Sequence, residues 1–93
     1  MIKGFRDGLT ERIWQRQQVT GFPSDLFKMA RRKLGFLEDA VELSDLRIPP
    51  GNRLEALKGD RAGRYSIRIN DQWRVCFRWE DGSAFEVEIT DYH

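Results

Sequence analysis

The sequence predicts an α+β fold in which two N-terminal helices pack on one face of a small, mainly antiparallel sheet. Apolar residues recur at steps of three and four in the first half of the chain, and at every second position in the second half. Short polar links separate the alternating runs, which makes the sheet a meander rather than a set of crossover-connected strands.

Taken in order, "MIKGF" is short, apolar and followed by Asp-Gly, so residues 2–5 read as an edge or first strand. "LTERIWQRQ" puts Leu9, Ile13 and Trp14 on one stripe, with Thr10 as a candidate cap, and predicts a short helix that "TGFPS" ends. The strongest helical signal follows, with Ser24 as N-cap and Leu26, Met29, Ala30, Leu34, Leu37 and Val41 on one stripe, to about residue 43. "RIPPGN" is a stiff connection, and "NRLEALKG" supplies another strand. In "YSIRIN", "WRVCFRW" and "FEVEI", one apolar face collects Tyr65, Ile67, Ile69, Trp73, Val75, Phe77, Trp79, Phe85, Val87 and Ile89. Keeping apolar opposite apolar, with three-residue loops, pairs Ile67 with Val75 and Phe77 with Val87.

The chain of 93 residues reads as one domain, residues 1–93, too small for a large internal substrate cavity. Its first residues lack the apolar run of a signal peptide, and no stretch approaches the roughly 20 apolar residues needed to cross a bilayer. The expectation is a cytoplasmic protein without membrane contact. A lone Cys76 forms no internal disulfide and has no ligand-spaced partner, so it reads as an inert strand residue, and neither metal nor cofactor is expected.

Net charge is only +1, but it is unevenly spread. Residues 47–78 hold eight cations against three acids, a local charge of +5, whereas residues 79–93 hold five acids and no Lys or Arg, a local charge of −5. Facing strands can neutralise such a pair of segments, and the register tests this. It sets Arg68 opposite Arg74, Ser66 opposite Cys76, Arg78 opposite Glu86, Cys76 opposite Glu88, and Arg74 opposite Thr90. Like charges directly opposite destabilise a sheet, so Arg74 reads as available, with Glu88 on its diagonal, while Arg78 with Glu86 reads as structural. Lys58 stands on the neighbouring segment, and Tyr92 is diagonal to Arg74.

The only histidine, His93, is the last residue. Alone it reads either as a frayed end or as a proton-exchange group. Beside Lys58, Arg74 and Tyr92 it suits phosphodiester cleavage in RNA, which needs a base for the 2′-hydroxyl, cations for the developing phosphate charge and an acid for the leaving oxygen. Asp91 is placed to orient the imidazole, and Tyr92 to stack on a base or donate a hydrogen bond.

The stretch "LEALKGDRAGRYSIRINDQWRVCFRWEDG" and the closing "DYH" resemble the HigB toxins of the RelE/ParE superfamily, over essentially the whole chain. This resemblance implies a RelE-like toxin fold and a metal-independent endoribonuclease that enters the 30S ribosomal A site and cuts mRNA. It implies a helix-turn-helix antitoxin of the HigA type as partner, and a toxin that is monomeric alone. Carried over residue by residue, the catalytic positions fall on Lys58, Arg74, Asp91, Tyr92 and His93. Glu55 stands where some relatives have a histidine, as an exposed strand residue or a substitute base. Arg53, Arg61, Arg64 and Arg68, which no motif identifies, are candidate contacts to RNA. Two other readings remain: a gyrase-inhibiting toxin of the ParE kind, and a catalytically silent RNA- or antitoxin-binding module.

Overall fold

The computed structural model describes residues 1–91. Helix α1 (Gly8–Trp14) is capped by Asp7, not Thr10: Asp7 has extended backbone, and its carboxylate accepts from the Thr10 N–H at 3.0 Å. Thr10 instead turns inward, fully buried, and its Oγ1 accepts from the Ile89 N–H at 2.9 Å, tying the first helix to the last strand. Thr10→Val keeps the shape but strands a buried donor, so urea unfolding should show a loss of about 1–3 kcal/mol.

Helix α2 (Phe27–Asp39) follows a 3₁₀ turn, Ser24–Leu26; Ser24 opens that turn and makes no side-chain cap. The expected stripe is buried at Ala30, Leu34 and Leu37, but the helix stops at Asp39, and Val41 and Met29 are exposed. The early stop has a local cause. Asp45 accepts from the Val41 and Glu42 N–H groups at 3.0 and 2.9 Å, diverting two donors that helix continuation requires and starting the Leu43–Arg47 3₁₀ turn. The same bonds hold the Asp45 carboxyl below the usual carboxylate range.

The periodicity gave no hint that Lys33 would be buried. Its Nζ donates to Asn52 Oδ1 at 2.6 Å, and Asn52 donates to the Leu46 and Ile48 carbonyls, tying the proline-rich connection to α2. Burial, with Arg32 and Arg68 nearby, pushes the Lys33 pKa below its ordinary 10.5. The unfolded chain therefore holds this proton more tightly, and the cost of burying the charge declines as pH rises toward 10.5.

Four strands, β1 (Glu55–Ala56), β2 (Arg64–Arg68), β3 (Trp73–Glu80) and β4 (Ser83–Asp91), pair antiparallel in chain order. The N-terminal segment lies beside β4 in parallel, through Lys3 N–H to Ala84 O at 2.8 Å and Arg6 N–H to Val87 O at 2.9 Å. The expected edge segment is thus present, and the sheet is mainly, not wholly, antiparallel.

Ile67↔Val75, Arg68↔Arg74 and Ser66↔Cys76 pair as the sequence predicts. So do Cys76↔Glu88 and Arg74↔Thr90, but between Cys76 and Arg78 the register shifts by one. Arg78 opposes Phe85 rather than Glu86, and the expected Phe77–Val87 pair is absent. The cause is the turn. Asp81 and Gly82, at φ 51° and 76°, form a two-residue link closing Glu80↔Ser83, where the sequence pattern favoured a three-residue loop. A bulge at Glu86, φ 51°, absorbs the offset. As a result Ala84, not Phe85, enters the core, and Phe85 sits on the outer face with the Arg78 guanidinium 4.6 Å from its ring centre.

The core is one cluster joining Ile13, Ala30, Leu34 and Leu37 of the helices to Ile67, Val75, Phe77, Val87 and Ile89 of the sheet. Phe22 closes one end, its ring edge-on to Trp73 at 5.0 Å. Both helices cover the same sheet face, which leaves the charged face outward. Among the described residues no helix is long and apolar enough to cross a membrane.

Candidate functional site

Strand alternation puts Arg74 on the outward face, yet it is buried there (7% exposed) rather than standing open as the sequence suggested. Its Nε donates to Ser66 Oγ at 2.8 Å on the neighbouring strand, and one terminal nitrogen donates to the Arg53 carbonyl at 2.7 Å. Arg53 has left-handed backbone (φ 46°, ψ 58°) just after the Pro50–Asn52 turn, and this bend presents its carbonyl to Arg74. Glu55 Oε2 lies 3.8 Å from the same guanidinium. Arg74 thus reaches across β2 and fixes β1 and its approach.

The like-charged Arg68/Arg74 pair is relieved from both sides, by Asp71 on Arg68 and Glu55 on Arg74. Glu88, the expected partner on the diagonal, is engaged elsewhere, 3.1 Å from Arg6 and 3.9 Å from Arg64. A guanidinium held at several atoms presents its remaining charge in one orientation, the preorganisation that electrostatic stabilisation of an anionic transition state requires.

Lys58 follows Glu55 by three residues and flanks the Gly59–Arg61 turn. The Leu57 N–H to Arg64 carbonyl bond, 2.8 Å, carries the β1–β2 pairing up to its doorstep. Lys58 is exposed, and among the described residues no carboxylate lies within ion-pair distance of it. Asp91 ends β4 opposite Trp73 and accepts from Gln72 Nε2 at 3.2 Å. Alternation assigns Asp91 to the face opposite that of Arg74 and Thr90. Tyr92 and His93, the remaining expected catalytic positions, lie outside the described residues.

Of the candidate RNA-contact arginines, Arg53 is exposed, and Arg61 is partly exposed on the turn after Lys58. Arg64 is buried and committed to β4, donating to the Glu86 carbonyl at 3.1 Å and to its carboxylate at 3.4 Å. Arg68 is ion-paired with Asp71. Arg61 and Arg64 line an open depression of about 410 Å³ that runs past Asp60 and Glu88 to Thr90, the cross-strand neighbour of Arg74. Sequence reasoning missed Ser66 as the anchor of Arg74. Its only signal was a small polar residue opposite Cys76 on an otherwise charged face.

The outward sheet face thus carries a fixed cation, Arg74, and the Arg61–Arg64 depression, and the segment after β1 carries an exposed ammonium, Lys58. The sequence profile of a family described as "RelE-like toxin of type II toxin-antitoxin system HigB" matches residues 3–93. Toxin HigB-1 of Vibrio cholerae serotype O1 is 52% identical over 90 residues, covering 96% of this chain and 95% of that protein. Endoribonuclease HigB of Proteus vulgaris is 29% identical over 93 residues, covering both chains completely. Among solved structures, a YoeB–YefM complex from Staphylococcus aureus superposes with a TM-score of 0.61 at 18% identity, over 100% of this chain and 98% of that one, a likeness of fold. With a sheet built as that fold requires and a family match along nearly its whole length, the chain belongs to the HigB-like toxins, the RelE-like toxins of type II toxin–antitoxin systems.

Proposed function

We propose that the protein arrests translation by cutting mRNA in the ribosomal A site, through metal-independent attack of a 2′-hydroxyl on the adjacent phosphate. The observation that carries this reading is Arg74, a guanidinium anchored on the outward sheet face beside Glu55, which precedes Lys58 by three residues on the neighbouring segment. Arg74 and Lys58 stabilise the charge that develops on the phosphate oxygens. A base removes the 2′-hydroxyl proton, the 2′-oxygen bonds to phosphorus, and the bond to the 5′-oxygen breaks as an acid protonates it. His93 is the proton-exchange group, Tyr92 stacks on or hydrogen-bonds the substrate, and Asp91 acts on the imidazole from the end of β4. The bond from Gln72 engages one Asp91 oxygen, and a carboxylate can accept from an imidazole at the same time.

Arg53 and Arg61 contact RNA directly, whereas Arg64 and Arg68 do so only by exchanging their acidic partners. The endoribonuclease name of the Proteus relative supports the activity, and membership of a toxin–antitoxin family supports an antitoxin partner. We assign that partner to the HigA helix-turn-helix type, encoded by the neighbouring gene. One small open face offers few groups to hold an RNA strand, so the ribosome supplies substrate orientation. Primer extension on mRNA after brief induction should show cuts within translated reading frames, abolished when translation initiation is blocked and when the neighbouring gene is co-expressed. Growth arrest with intact messages and stalled gyrase on DNA would instead establish the ParE-like activity.

A further inference from the structure

The Arg53 carbonyl that receives Arg74 belongs to a connection between elements, and it stays in place only as firmly as that connection is held. The hold comes from the residue before it. Asn52 is fully buried and uses both ends of its amide: Oδ1 accepts from Lys33 Nζ at 2.6 Å, and Nδ2 donates to the Leu46 and Ile48 carbonyls at 3.2 and 3.4 Å. In the main chain, the Asn52 N–H donates to the Pro49 carbonyl at 3.0 Å and the Arg53 N–H to the Pro50 carbonyl at 3.1 Å. Arg53 then turns left-handed, at φ 46°, and its carbonyl accepts from a terminal nitrogen of Arg74 at 2.7 Å. A continuous series of contacts therefore runs from α2, through Lys33 and Asn52, to the guanidinium on the outward sheet face.

Two members of this series oppose folding. Burial and the nearby Arg32 and Arg68 disfavour the charge on Lys33, and a left-handed backbone is strained at any residue but glycine. Both converge on one carbonyl. Ser66 Oγ holds Arg74 at Nε, 2.8 Å away, and the Arg53 carbonyl holds the far end of the fork, so the two together set the direction of the guanidinium plane.

We propose that Asn52 and Lys33 are positioning residues for Arg74, which orient its guanidinium toward the scissile phosphate by fixing the Arg53 carbonyl. The proposal rests on the reading of Arg74 as the group that stabilises charge on that phosphate. Asn52 is inaccessible and Lys33 nearly so, and both therefore act through Arg74 rather than on RNA.

The test is a double-mutant cycle in single-turnover cleavage on programmed ribosomes, with the toxin saturating so that the rate reports chemistry rather than binding. Asn52→Ala and Lys33→Met should each slow cleavage about 10–100-fold, the scale of a displacement of about 1 Å at a reacting centre. In an Arg74→Ala background the same substitutions should change the rate less than about twofold, because the group they orient is gone. A residue that only stabilises the fold would give the same fold-change in both backgrounds. Circular dichroism checks folding, and a second pair of variants leaves the buried network intact. Arg53→Gly and Arg53→Val both remove the exposed guanidinium, but glycine accepts the left-handed backbone and a β-branched residue resists it. Arg53→Val should therefore cut several-fold more slowly than Arg53→Gly, at equal ribosome affinity. Equal rates for the Arg53 pair, or Asn52 and Lys33 effects undiminished in the Arg74→Ala background, would overturn the proposal. An Arg74→Ala protein that cuts at the wild-type rate would overturn the reading of Arg74 itself.

Discussion

Arg74→Ala is expected to lower single-turnover cleavage on programmed ribosomes on the order of 10²–10³-fold, the usual consequence of removing one preorganised charge donor from a developing anion. Part of that decrease is positional. Arg74 donates to Ser66 Oγ and to the Arg53 carbonyl and lies 3.8 Å from Glu55, so its removal also loosens β1, the strand leading to Lys58. Unfolding by urea should register a destabilisation of about 1–3 kcal/mol from the buried partners left without their hydrogen bonds, with circular dichroism unchanged. Arg74→Lys separates the two roles. A lysine keeps the charge but cannot span Ser66 and Arg53 with a rigid fork, so it should recover only part of the rate. In the proposed mechanism Arg74 stabilises charge and moves no proton, so the residual activity of Arg74→Ala should keep the wild-type dependence on pH.

Deleting His93 should have an effect of similar or greater size, on the order of 10²–10⁴-fold, the contribution of a positioned acid or base. The pH profile distinguishes it. An imidazole titrates near 6.5, so with chemistry rate-limiting the wild-type profile should show a limb near neutrality that the deletion variant lacks. Deletion of a merely frayed terminal residue would leave rate, profile and stability alone. The deleted protein should remain folded and bind ribosomes.

Much of the fold was legible because one physical pattern dominates each half. Period-two alternation from Tyr65 to Trp79 set the register of β2 on β3, including the Arg68/Arg74 opposition. Alternation does not encode turn length, and an Asp-Gly link can close a hairpin with two residues. The choice here shifted the register, made the Glu86 bulge necessary and moved Phe85 out of the core. The end of α2 was hidden for a related reason. Val41 continues the apolar stripe, but the Asp45 side chain, four residues on, captures its N–H.

The place of Arg74 on the outward sheet face was legible in the sequence, and its wiring was not. Motif resemblance picked out Arg74, yet a cation opposite another cation read as available, because cross-strand arithmetic cannot see a carbonyl delivered by a left-handed residue 21 positions earlier. Arg64 looked equivalent to Arg61 in sequence. The bulge separates them, since it brings the Glu86 carbonyl and carboxylate within reach of Arg64 and leaves Arg61 on a more exposed turn.

Ribosome-coupled cleavage by the Arg74 face is tested most directly by single-turnover cutting of one end-labelled message by the wild-type protein and by Arg74→Ala, with the message free in solution and with it positioned on purified ribosomes. The predicted result is efficient cutting only by the wild type and only on the ribosome. Equal rates on free and ribosome-bound message, or an Arg74→Ala variant that cuts at the wild-type rate, would contradict it.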